Sequence, residues 1–312
     1  MPPTRNRIFL AAQWIFAAAI VWAAARALRG QWSAAGERLA SLTIGWSWIA
    51  VATMVVFLTY LLLIETWRSI LTGWNAHLPF GVASRIWFVS NLGKYIPGKI
   101  WSIAAMSVMA RAQAVSPVAA AGSSILIQLV TIATGISLVL VTGIRAIDEP
   151  RVAIAVGVVL ALGIASIPMV LPRLARAVAG LMGRSLEVPP LPATTLWFSV
   201  VRSLVSWIAY GVAFQLFVRG VLGSAAGATS SYIAVYAASY IIGFLALFAP
   251  GGVVVRESAL VAGMVRLGLA GQADAFAVAV ASRLWLTIVE LLPGFVYLAL
   301  ARRSSNTINK NS

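Results

Sequence analysis

Cysteine is absent, histidine occurs once, and only 8 residues are acidic in a chain of 312. Those gaps remove whole classes of chemistry. Without cysteine there is no thiol nucleophile and no disulfide, and with His77 alone there is neither a Cys/His metal site nor a Ser-His-Asp triad. His77 itself falls in a connecting loop and reads as a solvated residue rather than a proton relay. Charge is scarce altogether: 10% of residues are charged and 61% hydrophobic, with a mean hydropathy of +0.94. That balance is far from a soluble domain's and belongs to an integral membrane protein. The charges present are lopsided, giving +15 net. Basic loops suit anionic lipid headgroups, whereas nucleic acid would need the basic residues on one exposed face, and here they are scattered between apolar spans.

The apolar runs predict an all-α, polytopic helical bundle. Strong spans are expected at Ile8 to Leu28, Ile44 to Ile64, Ala119 to Val141, Ala153 to Leu171, Leu196 to Phe217 and Phe276 to Leu300. The first imitates a secretory signal peptide, with a basic start and Ala23-Ala24-Ala25 behind it, but its length and the spans that follow favour an uncleaved helix. At the end of the second, Glu65 and Arg68 are spaced to pair at the interface, with a gate at the site's mouth as the functional alternative. Small residues from Ala119 to Ser124 permit close helix packing, and Gln128 and Thr131 on the same span suit bonds to a neighbouring helix.

Two stretches break this pattern. Asn91-Leu92-Gly93-Lys94-Tyr95-Ile96-Pro97-Gly98-Lys99-Ile100-Trp101 places two lysines and a helix-breaking Pro-Gly inside an apolar region, and Phe248-Ala249-Pro250-Gly251-Gly252-Val253-Val254-Val255-Arg256-Glu257 answers it downstream. The arms around the first break are too short to cross a bilayer, so a re-entrant hairpin is expected. Pro97 and Pro250 stand 153 residues apart, close to half of 312. Each half then reads span, span, broken hairpin, span, giving pseudo-repeats of about 1–150 and 151–301. Three crossings per half invert the second half, so the hairpins enter from opposite faces and meet near the midplane, the layout of an inverted-topology transporter. Basic residues collect on one set of loops, which puts both termini in the cytoplasm and the chain in the cell (inner) membrane.

A broken helix exposes unpaired N–H groups at its new start, where an anion such as a phosphodiester is favoured. Lys94 and Lys99 flank the first such start and Arg256 follows the second. Gly93 to Lys99 also satisfies G-x-x-x-x-G-K, but Ile100 replaces the Ser/Thr that would hold magnesium and no soluble strand precedes it, so nucleotide hydrolysis is rejected. Arg256-Glu257 admits a structural reading, in which it ties up backbone freed by Pro250-Gly251-Gly252, and a functional one, in which Arg256 grips phosphate while Glu257 tunes it. Arg283 and Glu290 share a helical face, either as an interhelical pair or as part of a headgroup path. Tyr95 and Trp101 read as interface anchors.

Gly93-Lys94-Tyr95-Ile96-Pro97-Gly98-Lys99-Ile100-Trp101, with Pro250-Gly251-Gly252 and Arg256-Glu257 downstream, resembles the membrane region of lysylphosphatidylglycerol synthases and the related stand-alone flippase-like proteins. The resemblance covers most of the chain, from the second span to the last. It implies a membrane region that moves aminoacylated phosphatidylglycerol between leaflets, while in bifunctional members a separate soluble domain makes that lipid. Only a short tail follows Leu300, so the synthase chemistry is not expected here. The chain departs from the family at Val253-Val254-Val255, where relatives often show a glycine before the Arg-Glu pair.

The expectation is therefore a flippase or transporter, not an enzyme, for an anionic or headgroup-modified lipid, such as a phosphatidylglycerol derivative or a polyprenyl-phosphate-linked sugar. Lys94, Lys99 and Arg256 hold phosphate, and Asn91, Glu257, Arg283 and Glu290 line or shape the path. No catalytic residue, cofactor or metal is expected. The alternatives are a lipid-modifying membrane enzyme using Glu257 with Glu290 as its acid/base pair, and a non-catalytic partner of a lipid-synthesising enzyme.

Overall fold

The computed structural model describes residues 43–95, 100–143, 191–246 and 254–308, with six isolated helical positions between Arg151 and Arg173. The expected span Ile8 to Leu28 lies outside the described residues, as do Pro97, Gly98, Lys99, Pro250, Gly251, Gly252 and most of Ala153 to Leu171. Among the described residues there are eight α-helices and no strand: α1 Trp46–Gly73, α2 Phe80–Asn91, α3 Ile100–Arg111, α4 Pro117–Gly143, α5 Ala193–Leu222, α6 Thr229–Leu245, α7 Val255–Arg266 and α8 Gln272–Ile308. A short 3₁₀ turn, Leu92–Tyr95, follows α2.

Length divides these helices into two kinds. α1, α4, α5 and α8 are long and apolar enough to cross a bilayer, which makes the chain a multi-pass membrane protein. α2, α3 and α7 have 12 residues each and α6 has 17. Twelve residues rise about 18 Å, well short of the roughly 30 Å of a hydrocarbon core. Outward faces of the long helices are apolar. Leu284, Ile288, Leu292 and Phe295 form one stripe along α8, each more than half exposed. Water would penalise such a stripe, and acyl chains do not.

Because lipid tails are as apolar as leucine, helix association here rests on close packing and buried hydrogen bonds. Trp67 Nε1 donates to Ser123 Oγ at 2.9 Å, Trp207 Nε1 to the Thr131 carbonyl at 3.0 Å, and Trp285 Nε1 to Thr53 Oγ1 at 2.8 Å. Thr134 and Ser203 share a bond of 2.7 Å. A Cβ on Gly211 would stand 2.5 Å from the Ile233 Cα, so α5 and α6 touch at backbone distance. Glu65 and Arg68 pair as their spacing predicts, and Arg68 also donates to the Leu78 carbonyl at 2.9 Å. His77 is exposed in the loop between α1 and α2.

α1 and α5 lie antiparallel along their length. Gly45, before α1, donates to the Gly220 carbonyl near the end of α5 at 2.8 Å, while Gly73, ending α1, faces Leu191 and Pro192 before α5. The segment α2–α3 therefore departs from one end of the bundle and α6–α7 from the other. Each returns to the end it left. Gly122, early in α4, packs against Trp74 just past α1, and Gly227, between α5 and α6, packs against Leu269, just past α7. Packing partners also recur between halves: α1 with α2 as α5 with α6, α3 with α4 as α7 with α8, and α2 with α8 as α6 with α4.

Candidate functional site

The inner ends of both short-helix segments line one cavity of about 210 Å³. Asn91 reaches it from the end of α2, Ser102, Ile103 and Met106 from α3, Tyr236, Tyr240, Gly243 and Phe244 from α6, and Arg256 from the first turn of α7. The long helices complete the wall with Tyr60, Gln128, Thr131, Ser203, Ser206, Tyr210, Arg283, Thr287 and Glu290. That is room for several waters or for a phosphate-sized group.

Two glycines, 150 residues apart, set the inner bends. A Cβ on Gly93 would stand 2.9 Å from the Ser102 nitrogen, and one on Gly243 would stand 2.7 Å from the Arg256 Cβ. In each segment the end of the first arm therefore touches the first turn of the second. Only a residue without a side chain permits that approach.

Arg256 crosses Gly243 and lays its guanidinium over two rings of α6, 5.3 Å from the centre of Tyr236 and 5.8 Å from that of Tyr240. These tyrosines are four apart and share a helical face. Tyr210 stacks on Tyr236 at 5.5 Å and meets Tyr60 edge-on at 6.3 Å, extending the aromatic wall across α5 to α1. Ring faces attract a cation without neutralising it. Among the described residues no carboxylate lies at ion-pair distance from Arg256, so an anion can approach its guanidinium.

Glu257 is placed differently from its neighbour. Its Oε2 accepts from the Val254 N–H at 2.6 Å, closing the start of α7, while Oε1 lies 3.6 Å from Arg283 Nη1. Glu257 thus stands behind the wall and ties the second bend to α8. The cap is needed because Val254 holds a φ of 73°, a left-handed conformation that a β-branched residue rarely adopts.

Arg283 and Glu290 both line the cavity, two turns apart on α8. The Tyr60 hydroxyl and Trp87 indole N–H, on the same wall, are buried without a hydrogen-bond partner among the described residues. Lys94 belongs to the 3₁₀ turn that continues α2, and Lys99 lies outside the described residues. Among the described residues no group of three histidine or acidic side chains could hold a metal ion.

Sequence reasoning missed the tyrosines. Tyr60, Tyr210, Tyr236 and Tyr240 are four of the 7 in the chain, and all are on this wall. The four-residue step from Tyr236 to Tyr240, a short distance before the second break, was the available signal. Gln128 and Thr131 also face the cavity, although Thr131 Oγ1 is engaged with the Ile127 carbonyl of its own helix at 2.8 Å.

The model of the family described as lysylphosphatidylglycerol synthase TM region matches residues 8–294. The chain belongs to that family. Its match takes in both breaks, all of α1 to α7 and most of α8, so the cavity lies within the family's shared region. No curated protein matches the chain.

Proposed function

We propose that this family member moves lipids with anionic, phosphate-bearing headgroups between leaflets, the headgroup passing through the cavity while the tails stay in the bilayer. The observation that carries this reading is Arg256: a cation held on ring faces in a cavity bounded by both broken segments, inside a bundle whose outer faces are apolar. A charge so placed is costly in hydrocarbon and has functional use when an anion comes to it.

On this reading the two segments are re-entrant hairpins from opposite leaflets, supported by their departure from opposite ends of antiparallel α1 and α5. Six spans and an inverted repeat of about 1–150 and 151–301 follow, with both termini in the cytoplasm of a cell (inner) membrane. Lys94 and Lys99 serve the first bend as Arg256 serves the second. Asn91 and Glu290 line the path, Arg283 balances its charge, and Glu257 holds its shape. The lipid is a phosphatidylglycerol derivative or a polyprenyl-phosphate-linked sugar, with a lipid-synthesising enzyme as supplier.

An enzyme reading needs two acids at the phosphate. Glu257 is engaged by the Val254 N–H and Arg283, which weakens it as the partner of Glu290. Reconstituted vesicles carrying headgroup-labelled phosphatidylglycerol test the proposal. Transfer should be faster than in empty vesicles and slowed in Lys94→Ala and Arg256→Ala; equal rates in wild type and both variants defeat these assignments.

A further inference from the structure

We propose that Glu290 is a proton-binding site coupled to headgroup occupancy: an anion arriving beside Arg256 draws a proton from water onto the Glu290 carboxylate, and its departure releases that proton. This rests on the transport reading above. It adds a coupling ion that the reading does not supply.

The two acids near the cavity have different commitments. Glu257 is engaged through both oxygens, by the Val254 N–H and by Arg283. Glu290 is on the wall itself, on a face shared with Arg283 and within electrostatic reach of Arg256. The other titratable groups facing it are Tyr60 from α1, Tyr210 from α5 and Tyr236 and Tyr240 from α6. α7 contributes Arg256 and Glu257. From α2 the cavity receives Asn91, which does not titrate, while Arg85 on that helix is exposed.

While no anion is present, Glu290 acts as a counter-charge to the wall arginines. A phosphate takes over that role in the cavity that Glu290 itself lines. Like charges in a poorly screened site favour protonation of the weaker acid, as in paired carboxylates. The step balances as one proton moving from water to a carboxylate oxygen. By linkage, anion affinity must then rise as pH falls, by at most about tenfold per pH unit for one proton. A pH gradient across the membrane would bias the direction of transfer.

The test uses the detergent-solubilised full chain titrated with dihexanoyl phosphatidylglycerol across a pH series, with proton uptake read from an indicator dye in weak buffer. Binding should tighten as pH falls, with up to one proton taken up per lipid. Glu290→Gln should bind without the pH slope and without uptake, and Glu290→Asp, which keeps the acid, should restore both. Wild-type binding that is independent of pH and takes up no proton overturns the coupling and leaves the headgroup site standing. Uptake that persists in Glu290→Gln overturns its assignment to that residue. Absence of binding at every pH overturns both the coupling and the site.

Discussion

Val254 carries a cost that its side chain does not need to impose. At φ 73° and ψ −50° Val254 sits near the rare, strained γ-turn conformation, which costs an L-residue about 1–3 kcal/mol, whereas glycine adopts it freely and loses about 0.5–1 kcal/mol of that gain to chain entropy. Val254→Gly should therefore melt at or slightly above the wild-type temperature in detergent, the reverse of the usual valine-to-glycine loss; a clear drop would show that the Val254 side chain holds the bend. Gly243 presents the opposite case. Its added Cβ would meet the Arg256 Cβ at 2.7 Å, so Gly243→Ala must push the arginine off its rings. A displacement costing about 1–3 kcal/mol corresponds to roughly five- to 150-fold in transfer rate. Gly81→Ala, with nothing within 4 Å of the new methyl, should leave the rate alone.

Among the elements, the two broken segments were the most legible feature of the sequence. Pro-Gly flanked by lysine, and Pro-Gly-Gly followed by Arg-Glu, cannot continue a helix in hydrocarbon without compensation, and the described arms end beside both breaks. The aromatic wall was not legible, because tyrosines in a chain that is 61% hydrophobic look like ordinary packing until the fold brings three helices together. Arg283 and Glu290 were readable as one face, but periodicity carries no information about which neighbour that face meets. Glu257 shows the same limit: its carboxylate is divided between a helix start and α8, a choice set by tertiary geometry. Glu257→Ala should lower stability by about 1–2 kcal/mol, the usual worth of a lost cap. Hydrogen exchange should quicken at the first turn of α7 before it does in α5; uniform exchange across both would contradict a local role.

For the whole molecule, the absence of cysteine becomes an experimental advantage, since a single introduced thiol has no background. On the proposed topology, with both termini in the cytoplasm, thiols placed at Asn75 and Gln113 should react only from the cytoplasmic side, and thiols at Ser224 and Gly271 only from the other. Reaction of all four from one side would remove the inverted arrangement of the hairpins. The antiparallel lie of α1 and α5 sends the two broken segments off from opposite ends of the bundle. The most direct test of a shared chamber is protection of two thiols, introduced one at a time at Ser102 in the first broken segment and at Tyr240 in the second. Titration with dihexanoyl phosphatidylglycerol should slow labelling of both over the same concentration range; protection of one alone, or of neither, would contradict a single headgroup chamber between them.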